Sequence, residues 1–393
     1  MDHSRICVTV TATSMAELRR RRDLQPAGTL VELRLDHVDR PDVAGALDGR
    51  RGPVLVTCRA AWEGGRFQGS EEERLAILER ALAAGAEFVD VEWKALTPAF
   101  AGGTGRDRLV ASLHDFDGMP ADLDDTVDAM WRSGAGAVKL AVTVPRLRDC
   151  VRLRDLATRR TAPTVLVGMG EAGAITRILP ARFGSRWTYA GDLASAAPGQ
   201  LTAARMRDEF GVDRLGDGTA LYGVLGKPVS HSVSPAMHNA AFRATGVDAV
   251  YLPLAADDFA DFLAFADAFD VSGASVTAPF KGDAFALAGS IDEVGRHARS
   301  INTLRRSASG WEGRNTDLDG FMAPLTRLVD LRGQRVTVLG AGGAARTVAV
   351  GLTAAGALVS VSARRTEQAD ALAAMTGAEA AAFPPAAGTG TCS

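Results

Sequence analysis

GAGAVKLAVTV, residues 134–144, carries a single charge, Lys139, in a run of small and β-branched residues that reads as a buried strand. An ammonium in such a run is costly to desolvate, so it is either paired with a carboxylate or snorkelled outward, or it is used chemically. Desolvation favours the neutral amine, whose lone pair attacks a carbonyl. Both readings stand on this segment alone. Seven other short apolar runs accompany it in the first half: ICVTVTA (6–12), TLVELRL (29–35), PVLVTCR (53–59), EFVDVEW (87–93), RLVASLH (108–114), TVLVGM (164–169) and RWTYAG (186–191). Most are separated by segments with apolar residues at helical spacing, among them Glu71 to Ala84, Asp122 to Trp131 and Arg146 to Arg159. Eight strand-plus-helix units within about 200 residues predict a (β/α)8 barrel.

In that architecture the reactive side chains stand at the carboxyl ends of the strands. Glu32 and Arg34 fall near the end of the second run, Arg59 ends the third, His114 ends the fifth, and Lys139 is expected late in the sixth. A lysine condensing with a ketone makes an iminium that acidifies the neighbouring carbon, and a histidine of near-neutral pKa can shuttle the protons. Arginines hold carboxylates and hydroxyls by forked hydrogen bonds. Together with Arg177 these residues describe imine chemistry on an anionic polyol, although His114 beside Asp115, taken alone, reads as a loop or cap feature.

The chain's 393 residues call for two or more domains, and 44 basic against 47 acidic residues give a net charge of −3. That balance offers no footprint for nucleic acid or for an anionic membrane, and the run Arg19 to Arg22 reads as a solvated helix face. Cys7, Cys58, Cys150 and Cys392 lie far apart, suggesting neither a zinc site nor a disulfide framework. No signal peptide or bilayer-spanning stretch is expected, which predicts a cytoplasmic protein. The Ala/Gly/Pro-rich end, AAAFPPAAGTGTCS, is expected to fray.

The first half resembles the type I 3-dehydroquinate dehydratases. The resemblance rests on VELRLDH (31–37), TCRAAWEGGRFQGSEEER (57–74), VASLHDF (110–116), AVKLA (137–141), MGEAGAITR (169–177) and APGQ (197–200), in that order. It implies that Lys139 forms a Schiff base with the ketone of 3-dehydroquinate, and that His114 removes the C2 proton and assists loss of the hydroxyl. It further implies that Glu32, Arg34, Arg59 and Arg177 orient the substrate, that Gln200 lies on a closing loop, and that Glu63 tunes the histidine. One departure is that Ala196, next to Ser195, stands where the family often has a serine. Another class I lyase or aldolase is the competing barrel reading, disfavoured by EGGRFQGSEEER.

A boundary is expected at Gly216–Thr219, before LYGVLG. Beyond it, GKPVSHSVSPAMHNAAF (226–242), SVTAPFKGDA (275–284), INTL (301–304), GRNTDLDG (313–320) and the strand, glycine turn and helix QRVTVLGAGGAARTVAVGL (334–352) resemble shikimate dehydrogenase. By that resemblance Ser232, Ser234, Thr277, Lys281, Asn302 and Asp317 hold shikimate, with Lys281 and Asp317 as the dyad at the oxidised hydroxyl. Gly340, Gly342, Gly343 and Ala344 form the dinucleotide turn. Arg364 and Arg365 end the next strand where an acid would select NAD, so NADP is the expected cofactor.

The expected layout is a dehydratase barrel over 1–215, a shikimate-binding α/β domain over 220–327 and a partial NADP-binding Rossmann unit over 328–393. The two activities would be consecutive, as in the bifunctional dehydratase/dehydrogenases that the whole chain resembles. Fifty-three residues follow Gly340, short of the family's usual length. VTVLG is therefore expected at a sheet edge and the dehydrogenase half is expected to be weak, the alternative being a dehydratase joined to a substrate-binding or assembly module. Quinate as the alcohol and the oligomeric state stay open.

Overall fold

Eight parallel strands carry the first half of the computed structural model, which describes residues 5–97, 100, 105–193 and 199–385. They are β1 (Ile6–Val10), β2 (Leu30–Arg34), β3 (Val54–Thr57), β4 (Phe88–Glu92), β5 (Leu109–Asp115), β6 (Ala137–Thr143), β7 (Thr164–Met169) and β8 (Thr188–Gly191). From β1 to β7 each pairs with the next, and β1 also pairs with β8, giving the order β7-β6-β5-β4-β3-β2-β1-β8. The barrel is nearly closed. At the remaining seam Arg186 N donates to Thr164 O at 2.9 Å, and Leu166 N donates to Ser185 Oγ at 2.9 Å. The helices are α1 (Met15–Asp23), α2 (Val43–Leu47), α3 (Glu71–Ala83), α4 (Leu123–Arg132), α5 (Asp149–Arg159) and α6 (Gly170–Ile178).

Local chemistry sets these boundaries. Ser70 and Glu73 form a reciprocal capping box that starts α3, with three glutamates in its first turn. In α4 the buried residues Leu123, Val127, Met130 and Trp131 share one face, as a 3.6-residue period demands. The polar stretch after Gln200 becomes a single π-helical segment, Arg205–Phe210.

Alternation along the strands sorts the side chains. One set faces the helices and is apolar; the other points into the barrel, beginning with the floor of Cys7, Leu30, Leu55, Val110, Ala137, Val165 and Trp187. Two residues further along β1, β2, β4, β5 and β6 come Thr9, Glu32, Asp90, Ser112 and Lys139, all buried. This polar layer contains the sixth run's lysine. Lys139 is the third of seven residues in β6, opposite Ser112 of β5, rather than late in the strand as expected. Its amine gains height from the length of the side chain, while His114, two residues on from Ser112, stands nearer the mouth.

The chain divides into two compact units, Met1–Ala220 with Val233–Ala255, and Leu221–Ser232 with Ala256–Ser393. After β9 (Ala220–Gly226), α7 (Ser234–Thr245) and β10 (Ala249–Ala255) go with the barrel, where Arg243 Nη1 donates to Glu209 O at 2.9 Å. The second unit holds β11 (Val271–Val276), β12 (Ser290–Ile291), β13 (Thr303–Ser307) and β14 (Gly310–Arg314), in the mixed order β9-β11-β13-β14-β12. Its helices are α8 (Phe259–Phe269), α9 (Lys281–Leu287), α10 (Glu293–Ala298) and α11 (Asp317–Leu328).

A parallel sheet of β15 (Arg335–Leu339), β16 (Leu358–Ser362) and β17 (Glu379–Ala381) follows, with α12 (Gly343–Ala354) and α13 (Thr366–Thr376). In its order, β15-β16-β17, β15 is at the edge, as expected for VTVLG. Val338, Ala349, Leu352, Val359, Val361 and Leu372 form its core. Among the described residues no helix is long and apolar enough to cross a membrane, and Cys7, Cys58 and Cys150 are buried cysteines outside any disulfide.

Candidate active site

The barrel mouth opens on a cavity of about 130 Å³ whose lining includes Glu32, Arg34, Arg59, Glu63, His114, Lys139, Arg177, Tyr189 and Gln200. All six barrel residues singled out as Glu32, Arg34, Arg59, His114, Lys139 and Arg177 therefore converge, with Gln200 beside them. Ser195 and Ala196 lie outside the described residues.

Lys139 is both buried and paired. Its Nζ donates to Asp90 Oδ2 at 3.2 Å, lies 3.7 Å from Glu32 Oε1, and sits 4.1 Å above the ring centroid of Tyr189. Glu32 accepts from Thr9 Oγ1 at 2.7 Å and Thr57 Oγ1 at 2.9 Å, so its position is fixed by two neighbouring strands. Asp90 also accepts from Arg59 Nη2 at 2.8 Å and Ser112 Oγ at 2.6 Å. Burial raises the Asp90 pKa, but Arg59 and Lys139 overcome it and hold the carboxyl at about 2. Arg59 further donates to Glu92 Oε1 at 3.0 Å and Ser112 Oγ at 2.8 Å. Its guanidinium thus ties the third, fourth and fifth strands together beneath the pocket.

His114 Nδ1 lies 2.9 Å from Glu63 Oε2. Burial, reinforced by Arg59, Lys139, Arg34 and Arg177, lowers the imidazole well below 6.5, so it is neutral at pH 7. Burial also drives Glu63 up to about 7, with Glu92 and Asp90 adding to the effect and Arg59 opposing it. Glu63 owes its position to a tight loop. A Cβ at Gly65 would lie 2.0 Å from Arg59 O, so only glycine fits there. Arg34 forms a fork on Asp36 at 2.9 and 2.8 Å. Arg177, on α6, is fully buried, which pulls it down to about 10 and leaves it cationic at neutral pH.

Asp90, Glu92, Ser112 and Tyr189 were not singled out from the sequence. Asp90 and Glu92 carried a usable signal: two acids spaced i, i+2 share one strand face, opposite Val89 and Val91. In a barrel whose outer face must be apolar, that face has to be the interior. Tyr189 gave no such signal.

In the second unit, Lys281 pairs with Asp317, whose other oxygen accepts from Asn302 Nδ2 at 2.8 Å. Thr316 N donates to Asn302 Oδ1 at 2.9 Å, which fixes the loop that leads into α11. Asn315 Nδ2 reaches Thr347 Oγ1 of α12 at 2.7 Å. A Cβ on Gly343 would come 2.6 Å from Ser300 Oγ and 3.1 Å from Lys281 Cδ, so the glycine turn adjoins the dyad. Thr277, just past β11, is exposed. Ser232 and Ser234 are half-buried, at the end of a second-unit segment and at the first position of α7 respectively.

The turn itself suits a dinucleotide. Gly340 has φ +108°, the approaches to Gly340 and Gly342 are open, and the first turn of α12, where Ala344 lies, has no acidic residue. Arg364 and Arg365 are exposed just past β16.

The family model of type I 3-dehydroquinase matches residues 6–216. This chain belongs to that family. A second model, the shikimate dehydrogenase substrate binding domain, matches residues 224–304, so a lyase barrel is joined to an oxidoreductase region. The bifunctional 3-dehydroquinate dehydratase/shikimate dehydrogenase of Arabidopsis thaliana is 32% identical over 96% of this chain and 68% of its own length. The 3-dehydroquinate dehydratase of Desulfotalea psychrophila is 33% identical over 53% of this chain and 98% of that enzyme. The NADP(+) shikimate dehydrogenase of Syntrophobacter fumaroxidans is 46% identical over 39% of this chain and 54% of that enzyme. The chain thus spans about half the length of that shikimate dehydrogenase.

Proposed function

We propose that the protein dehydrates 3-dehydroquinate to 3-dehydroshikimate through a Schiff base on Lys139 and reduces that product to shikimate with NADPH. The observation that carries the reading is the buried amine of Lys139 beneath a pocket walled by His114 and three arginines. Lys139 attacks the ketone and water leaves. His114, whose Nδ1 is engaged by Glu63, uses Nε2 to take the C2 proton while the iminium accepts the electron pair. The same proton, returned to the departing hydroxyl, completes the elimination, and hydrolysis frees the lysine. Arg34, Arg59 and Arg177 offer positive charge and N–H donors to the substrate carboxylate and hydroxyls, Glu32 accepts from a hydroxyl, and Gln200 covers the mouth.

For the reduction, Thr277, Asn302 and Ser232 hold the substrate, and the Lys281–Asp317 dyad supplies a proton to the oxygen that becomes the hydroxyl. Gly340, Gly342, Gly343 and Ala344 would receive the NADP pyrophosphate, and Arg364 and Arg365 its 2′-phosphate. NADPH contributes the hydride when bound. We assign 1–215 to the dehydratase, 220–327 to shikimate binding and 328–393 to the cofactor. Small-molecule substrates are the partners in this reading, and buried cysteines outside any disulfide accord with a cytoplasmic location.

Mass-spectrometric product analysis of protein given 3-dehydroquinate and NADPH tests this, with Lys139→Ala as control. Shikimate from the wild type supports both activities, and 3-dehydroshikimate alone supports only the first. No product from folded protein would overturn the reading.

A further inference from the structure

We infer that the ring face of Tyr189 stabilises the cationic nitrogen of the Lys139 Schiff base, making Tyr189 a further functional residue of the dehydration. This rests on the Schiff-base reading above and deepens it. The geometry is direct: Lys139 Nζ lies 4.1 Å over the ring centroid, and the two residues are 5% and 3% exposed. A cation over an aromatic face gains most when water is excluded.

The need for such a face follows from the atoms of the step. The protonated lysine and the ketone combine so that a C–N bond forms, the C–O bond breaks and water leaves, while the positive charge stays on nitrogen and the adjoining carbon. Three N–H donors become one. Asp90 Oδ2, at 3.2 Å, and Glu32 Oε1, at 3.7 Å, stabilise the ammonium through its hydrogens, and one remaining N–H can serve only one of them well. The attraction of the ring quadrupole does not depend on how many hydrogens the cation carries. Tyr189 therefore keeps its grip on the charge as the nitrogen becomes planar, and it adds no acceptor that could capture the proton His114 must handle.

The ring's position comes from the barrel rather than from its hydroxyl. Tyr189 is set opposite Cys7 in the β1/β8 ladder and packs with the apolar floor. Its hydroxyl, buried beside Trp187, makes no hydrogen bond of normal geometry among the described residues. The ring, not the phenol, is the working part.

The test compares Tyr189→Phe with Tyr189→Leu and the longer Tyr189→Met in the full chain. Three quantities are read: the rate of borohydride-trapped adduct with 3-dehydroquinate, kcat against KM, and the Kd for quinate, which lacks the ketone and cannot form an imine. Tyr189→Phe should trap within about twofold of wild type. The Leu and Met variants should lose roughly five- to thirty-fold in trapping and kcat, the factor expected for a desolvated cation–π contact, with quinate binding kept within about twofold. Unchanged trapping in Leu and Met overturns the inference. So does a loss in Phe as large as in Leu, which would assign the effect to the hydroxyl, or a parallel loss of quinate binding, which would make it packing. Failure of the wild type to trap any adduct would instead remove the Schiff-base reading itself.

Discussion

Replacing Glu63 by glutamine should make the barrel more stable at pH 8 and less active. Glu63 is 6% exposed, and its pKa rises from 4.5 to about 7, first because of burial and then because Glu92 and Asp90 repel its charge. The native state therefore binds this proton more tightly than the unfolded chain does. Stability from a raised acid is present below the unfolded value and is lost as pH climbs from about 4.5 to about 7. With 1.36 kcal/mol per pKa unit, ionised Glu63 costs the fold about 3 kcal/mol at pH 8 and only a few tenths of a kcal/mol at pH 4. Glutamine matches the neutral acid in shape and keeps a hydrogen bond to His114 Nδ1. Urea unfolding followed by the fluorescence of buried Trp131 and Trp187 should show the variant ahead by about 3 kcal/mol at pH 8 and nearly level at pH 4. His114 has the opposite sign, since its lowered pKa removes stability as pH falls, but it does so in both proteins and largely cancels. A Glu63→Gln variant no more stable than wild type at pH 8 would refute the buried-carboxylate argument.

Other outcomes follow from the same geometry. Gly65→Ala forces a Cβ against Arg59 O and should cost roughly 1–3 kcal/mol in thermal or denaturant unfolding, with a raised KM for 3-dehydroquinate. Lys281→Met should lower NADP-dependent shikimate oxidation by roughly 10²- to 10⁴-fold while dehydratase kcat is unchanged. The double change Arg364→Ser, Arg365→Ser should raise the KM for NADP by roughly 10- to 100-fold, the value of charge-assisted phosphate contacts, and leave the KM for NAD nearly unaltered.

The barrel was legible because each of its strands is a short apolar run bounded by polar helices, and periodicity reads such boundaries well. The functional layer was legible at Lys139, where a lone charge interrupts a run, and at Arg59 and His114, which end theirs. What the periodicity could not supply was depth along a strand. Lys139 sits below the mouth because the strand continues four residues past it, and a lysine's reach is not written in its position. Ser112 and Tyr189 escaped notice because a single polar or aromatic residue in a strand suits either face. Only when eight strands close does the inner face become one polar layer. In the second unit the ordered motifs supplied Lys281, Asn302 and Asp317, which are brought together by the hydrogen bonds of Asn302. The pairing of Asn315 with Thr347 depended on a helix that periodicity could locate but not orient.

The most direct test of the central claim is peptide mapping of the protein after borohydride reduction in the presence of 3-dehydroquinate. The account predicts one adduct, on the peptide carrying Lys139, absent in Lys139→Ala along with formation of 3-dehydroshikimate. An adduct on another lysine, or dehydration that persists in Lys139→Ala, would contradict it.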